Sequence, residues 1–210
     1  MASDLRQQRL PAARRRSQLL EVAQQLFGAR GFHDTSMEDI ADAAGVTKPV
    51  LYQHFPSKRD LYLELLQAVG DELLEAVTSS ATAASGPQQQ VRAGFDAYFW
   101  FVSERTSAFR VLFGTGARTT DEFSELVRQF EASVAGTIGS LIEAGVSCEH
   151  RELLGYAIVG LAEVTARQWL ARNRTGGGGG LEQLDPAEGQ RLAGQLADLV
   201  WAGLRGLPPE

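Results

Sequence analysis

Apolar residues recur at helical spacing along almost the whole chain. Leu19, Val22, Ala23, Leu26 and Phe27 stand at i, i+3, i+4, i+7 and i+8, which puts them on one face of a helix that Gly31 ends. Thr35-Ser36-Met37-Glu38 has the order of a capping box: the Thr35 hydroxyl is expected to satisfy an orphan N–H while Glu38 reaches back. A short second helix starts there, buries Met37, Ile40, Ala41 and Ala44, and stops before Gly45. Gly45-Val46-Thr47 reads as a tight turn. Pro49 follows in a first-turn position, where its missing N–H would be unpaired anyway, so a third helix is predicted from about Lys48 to His54. Phe55-Pro56 ends it, and a second capping box, Ser57 to Asp60, launches a longer helix through Leu61, Leu65, Val69 and Leu73.

Ser79 to Gln90, rich in Ser, Ala, Gly, Pro and Gln, reads as a connection. Beyond it the spacing predicts helices at about 88–103, 106–114, 120–144, 148–172 and 186–206. Alternation of period two, bounded by turn signals, is nowhere visible, so the fold class is all-α. The domain organisation expected is a basic flexible arm over 1–13, a head over 14–60 whose central motif spans about 37–56, and a larger helical body over 61–207. Gly176 to Gly180 is a five-glycine loop without the Lys-Ser/Thr ending of a phosphate-binding loop.

Composition narrows the function classes. With 210 residues, 44% hydrophobic and 22% charged, the chain is long enough for one or two packed units and is neither fibrous nor disordered in character. Its net charge of -6 divides unevenly: residues 1–60 carry nine Lys/Arg against seven Asp/Glu, and the remainder carries eleven against nineteen. A slightly basic head on an acidic body is compatible with an anionic partner for the head, because salt screens charges beyond ~8–10 Å. Cys148 is alone, which excludes an internal disulfide and a multi-cysteine metal site. The longest apolar stretch, Leu153 to Ala162 between Glu152 and Glu163, is shorter than the ~20 residues a bilayer requires. No apolar run follows the arginines at 6, 9, 14, 15 and 16, so no secretory signal is read and a cytoplasmic location is expected. Only His33, His54 and His150 are available for proton transfer, and no nucleotide-binding glycine motif or Ser/Cys-His-acid arrangement accompanies them. An enzyme is not expected, nor is a metal or cofactor.

Two short helices joined by a glycine turn are the helix-turn-helix arrangement, whose second helix enters the major groove of DNA. The run from Leu19 to Leu66, LLEVAQQLFGARGFHDTSMEDIADAAGVTKPVLYQHFPSKRDLYLELL, resembles the DNA-binding domain of the TetR family of bacterial transcription regulators. ARGF, TSMEDIA, AGVTKPVLYQHF and PSKRDL carry the resemblance. It implies that Thr47 to Phe55 form the recognition helix with its cap, and that Lys48, Pro49, Val50 and Gln53 face bases. Gln suits adenine, Lys suits guanine, and Val or Pro suits a thymine methyl. The resemblance also implies that Thr35, Ser36, Tyr52, His54 and Lys58 grip phosphates, fixing register rather than sequence. Arg14, Arg15 and Arg16 read either as a solvated helix start or as an arm on the DNA backbone.

For the body the resemblance is architectural, and implies a small-molecule effector site and a homodimer built from the helices at about 148–172 and 186–206. Leu153, Ala157, Leu161 and Val164 form one apolar row, and Leu192, Leu196, Leu199 and Gly203 another. Aromatics concentrate mid-chain, so Phe95, Tyr98, Phe99, Phe109, Phe113 and Phe130 are the candidate lining of a site for an apolar or aromatic effector. Glu163 is read as pairing with Arg167 at i+4, and Cys148 with His150 as structural. The function expected is a homodimeric repressor released from a palindromic double-stranded operator by that effector. The alternative is a global or architectural DNA-binding regulator, or an activator, without a small ligand.

Overall fold

The computed structural model describes residues 11–118, 120–142, 145–173 and 184–207, and every regular element among them is helical. The head contains α1 (Ala12–Arg30), α2 (Met37–Ala43) and α3 (Lys48–His54). The body is formed by α4 (Lys58–Ala83), α5 (Pro87–Glu104), α6 (Thr106–Phe113), a 3-10 turn (Thr115–Arg118), α7 (Asp121–Leu141), α8 (Cys148–Arg172) and α9 (Pro186–Arg205). The five predicted body helices are all present, within about three residues at each end. Residues 1–10 of the expected arm, and the glycine run at 176–180, lie outside the described residues.

In the head the apolar faces read from the spacing are buried. Leu19, Ala23 and Phe27 of α1 meet Met37, Ile40, Ala41 and Ala44 of α2 and Leu51 and Phe55 of α3. The glycines at the two turns are needed for their backbone: Gly31 ends α1 at φ 85° and Gly45 joins α2 to α3 at φ 65°. The capping box sits one residue later than the sequence suggests. Ser36, not Thr35, caps α2: its hydroxyl accepts from the Asp39 amide and its own amide donates to the Asp39 carboxylate. The bonds that the Ser36 hydroxyl and amide donate to the Asp39 carboxylate hold that carboxyl below its ordinary range.

Thr35 and Lys58 are corrections to the phosphate-gripping set. The Thr35 side chain is buried, and its hydroxyl donates to the Gly31 carbonyl at 2.8 Å, closing the loop between α1 and α2. The Lys58 ammonium donates to the carbonyls of Phe32 and Thr35 at 2.8 and 2.9 Å and lies 4.4 Å from the centre of the Phe32 ring. Both side chains fasten this loop, because its carbonyls have no helix to satisfy them.

α4 is continuous from the head to the far end of the body. It runs through Ser79 to Ala83, where the composition suggested a connection, and only 84–86 link it to α5. The hydroxyls of Thr78 and Thr82 donate to the carbonyls one turn back, at 2.8 Å each, while Val77 and Ala81 pack inward. Polar residues that favour turns in isolation are thus accommodated within a packed helix.

Two close contacts help to fix the head on the body. Gly28 of α1 touches α6 so closely that a Cβ there would lie 2.7 Å from the Ser107 carbonyl oxygen, and the Ser107 hydroxyl donates to Gln25 at 2.8 Å. Beside this contact Tyr62 of α4 is packed between Phe27, Phe32 and Phe123, at ring separations of 5.0, 4.9 and 4.9 Å. Its hydroxyl donates to the Val111 carbonyl of α6 at 3.0 Å, and burial pushes its pKa well above that of a free phenol.

Two outcomes follow from these contacts. Gly28→Ala is expected to lower unfolding stability by about 1–3 kcal/mol in a denaturant titration, because the atoms it meets are backbone and cannot turn aside. Lys58→Met is expected to cost about 1–2 kcal/mol of stability while leaving the salt dependence of DNA binding unchanged. A reduced slope of log affinity against log salt, with stability intact, would return Lys58 to the phosphate contacts.

Candidate nucleic-acid interface and ligand cavity

The short α3 is positioned by its inner face and by its neighbours. Leu51 and Phe55 are buried, Val46 bonds back to the Ala41 carbonyl at 2.9 Å, and Gln18 of α1 donates to the Ala44 carbonyl at 3.3 Å. Arg16 lies 4.5 Å above the Phe55 ring and is paired with Glu64 of α4, so this arginine binds head to α4. Arg15 is hydrogen-bonded to Gln18.

The outer face of α3 carries the residues singled out by sequence. Thr47, Lys48, Pro49, Tyr52 and Gln53 are exposed, and Val50 and His54 are half-buried. Tyr52 is 48% exposed, far from the core position its ring could have filled. The Thr47 hydroxyl makes no capping bond to its own helix. Ser36 is exposed at the start of α2, although its hydroxyl is engaged with Asp39. The sequence reading missed Glu38 on this surface: its carboxylate pairs with Lys48 at 2.9 Å and holds the ammonium above its ordinary range. In the sequence Glu38 stands where the capping acid is expected, and the one-residue shift of the cap to Asp39 is what frees it.

The body encloses an apolar cavity of about 330 Å³, a volume at the lower end of small-molecule sites. Leu73 and Val77 of α4, Phe95 and Tyr98 of α5, Phe113 of α6, Phe130 and Ile138 of α7, Ile158 and Ala162 of α8 and Trp201 of α9 all contribute to its wall. Of the six aromatic residues expected there, Phe95, Tyr98, Phe113 and Phe130 line it. Phe99 and Phe109 do not: Phe99 packs on Trp169 at 6.1 Å and Phe109 behind Phe113 at 4.8 Å, both in the core. Gly70 lets Phe130 approach α4, since a Cβ there would meet its ring at 3.2 Å. The Tyr98 hydroxyl is buried without a hydrogen-bond partner among the described residues, and burial beside Glu163 pushes its pKa well up. Glu163 pairs with Arg167 at 3.2 Å, as the i+4 spacing suggested. Helical periodicity marks the buried face of one helix at a time; it cannot say which buried residues from six helices face a common space. Trp201, Leu204, Gln90 and Arg205 therefore escaped notice.

The outer sides of α8 and α9 expose apolar side chains. Leu153, Tyr156 and Val164 are 65, 43 and 57% exposed, and Leu199 is 60% exposed. A Cβ on Gly160 or Gly203 would meet nothing within 4 Å in this chain. Among the described residues no helix is long and apolar enough to cross a membrane.

Comparison with known proteins agrees with this geometry. Residues 19–65 match the family described as "Bacterial regulatory proteins, tetR family", and residues 87–203 match "Tetracyclin repressor-like, C-terminal domain". The chain is 31% identical over 202 residues to the HTH-type transcriptional activator FasR of Mycolicibacterium smegmatis, covering 95% of this chain and 87% of that one. A solved TetR-like transcriptional regulator from Rhodococcus sp. RHA1 superposes with a TM-score of 0.75 at 28% identity, covering 95% of this chain and all of that one. The fold is shared, at a TM-score of 0.73 and 14% identity, with the regulator FadR from Bacillus subtilis in complex with stearoyl-CoA, over 89% of this chain and 98% of that one. The chain belongs to the TetR family of bacterial regulatory proteins and is a DNA-binding transcription regulator, not an enzyme.

Proposed function

We propose that the protein acts as a homodimer on a two-fold-symmetric operator and that an apolar small molecule in the body lowers its affinity for that operator. The observation that carries this reading is the apolar cavity, one wall of which is α4, the helix that also holds the head through Tyr62 and Arg16. The likeness to a regulator bound to stearoyl-CoA supports an apolar chain as occupant. The exposed apolar row of α8, with Leu199 of α9, supports the dimer, since such side chains are unfavourable in water and two chains could bury them against each other. A dimer also supplies the two recognition helices that successive major grooves require, about 34 Å apart. The site of action is the cytoplasm, with the DNA.

In this mechanism the free protein favours a head spacing that matches both grooves. A molecule that fills the cavity contacts α4 directly and α6 through Phe113, the two helices joined by the Tyr62–Val111 hydrogen bond. If it binds better to the arrangement with mismatched heads, it shifts the population toward release. On DNA, Lys48, Pro49, Val50 and Gln53 read bases, and Tyr52, Thr47, Ser36 and His54 hold the backbone. We read the outcome as repression of a promoter. Activation is the second reading, favoured by the likeness to FasR along almost the whole chain.

Footprinting on the DNA beside its own gene is expected to show a short protected site with two-fold symmetry. Tyr52→Ala should weaken binding to all sequences, and Gln53→Ala should cost about 1–3 kcal/mol at one operator position and relax preference there. Uniform protection without a symmetric site would favour the architectural alternative. Val164→Glu combined with Leu199→Glu should give a monomer by light scattering and abolish the symmetric footprint; an intact dimer would place the interface elsewhere.

A further inference from the structure

The outer face of α3 is to meet a polyanion, yet a carboxylate stands beside it. Glu38 reaches from the first turn of α2 to the ammonium of Lys48, the first residue of α3, with 2.9 Å between oxygen and nitrogen. Both side chains are at least half exposed. The other acids of α2 are engaged differently. Asp39 closes the cap with Ser36 and faces Arg30, and Asp42 acts on Lys48 more weakly than Glu38 does. α2 is therefore capped without Glu38. An exposed ion pair adds little to the stability of a fold, so what this pair presents outward matters more than what it holds together.

It presents a donor and an acceptor side by side, at the end of the recognition helix that comes nearest the base edges. In the major groove a G·C pair shows the complementary arrangement: guanine offers the acceptors N7 and O6, and beside O6 stands the N4 amino donor of its cytosine. O6 and N4 are hydrogen-bonded to each other across the base pair, so they lie about 3 Å apart, which is also the spacing of the ammonium and the carboxylate. A C·G pair, met from the same side, sets the carboxylate against N7 and O6, acceptor against acceptor. T·A has the right order at O4 and N6, but its adenine N7 faces the carboxylate and its thymine methyl stands beside the ammonium. A·T reverses donor and acceptor. One arrangement of the four satisfies both side chains.

We infer that Glu38 and Lys48 read one G·C pair in each half-site as a unit, the Lys48 ammonium donating to guanine O6 and N7 and the Glu38 carboxylate accepting from cytosine N4. This rests on the reading of the outer face of α3 as the base-contacting surface, and adds to it a residue of α2 and the identity of one base pair. There the carboxylate gains a donor as the ammonium turns to guanine. Against a phosphate it gains none.

The test starts from duplexes that the full-length protein selects out of a random-sequence pool, with affinities then measured by fluorescence anisotropy at physiological salt. Each selected half-site is expected to hold a G·C pair whose reversal to C·G weakens binding about tenfold or more. Replacing that cytosine with the pyrimidinone that lacks its N4 amino group should weaken binding about fivefold. Glu38→Ala should bind the two duplexes alike, whereas Glu38→Gln, which keeps an acceptor oxygen, should retain the preference. A deazaguanine lacking N7 should weaken the natural chain and leave Lys48→Met unaffected. Two results overturn the inference while leaving α3 as the base reader: indifference of the natural chain to loss of the amino group, or Glu38→Ala and Glu38→Gln both tightening on every duplex by one factor with base preferences unchanged, which would make the carboxylate a counter-charge only. A selection that fixes no base position overturns base reading by α3, and the inference with it.

Discussion

The position of the recognition helix depends on Tyr62. Its ring fills the space between α1, the loop after it and the start of α7, and its hydroxyl reaches a carbonyl of α6, so one side chain bonds head to body through packing and a buried hydrogen bond at once. Gly28 permits the second contact by omitting a side chain where α1 and α6 touch. With both in place the head is not a module on a tether. Any rearrangement of α4 against α6 is conveyed to α1 and, through the shared core of the head, to α3, because close-packed interiors move between discrete arrangements rather than yielding gradually.

The cavity belongs to the same framework. α4 and α6 contribute Leu73 and Phe113 to its wall and meet at Tyr62 and Val111, eleven residues away along α4 and two along α6. Six helices are needed to enclose it, and their shares run from Phe113 alone on α6 to six residues of α5. Such a space is filled or left open by small choices: Gly70 admits Phe130 toward α4, while Phe99 and Phe109 turn to Trp169 and Phe113 and thicken the wall.

Local signals in the sequence were sufficient wherever structure is decided locally. Pro49, Gly45 and the Ser57–Asp60 cap place α3 and the start of α4 to the residue, and the faces of α1 and α2 follow from spacing. Two errors came from reading local preference without its surroundings. Thr35 and Ser36 are both competent caps, and the choice between them is made by the interior site that receives Thr35 beneath the α1–α2 loop. Ser79 to Ala83 favour a turn in isolation, but the packing of Val77 and Ala81 keeps them helical. Lys58 shows a further limit. A family position can name a residue type, but the carbonyls of Phe32 and Thr35 decide what its charge is used for. Four of the six aromatic residues line the cavity because α5, α6 and α7 each face it with part of their apolar side; the contributions of α9 lie too far along the chain for periodicity to connect.

On the proposed reading, in which Lys48 meets DNA, its pairing with Glu38 bears on how long the protein stays at each site. Random DNA offers this lysine only phosphates, which must draw it from a carboxylate it already has, and the same carboxylate repels the backbone nearby. Exposed pairs of this kind are worth no more than about 1 kcal/mol, so the effect is a shortening of each visit by a few-fold, not a bar to binding. Short visits are what a searching protein needs. The acid beside the recognition helix lets it leave the wrong sites sooner.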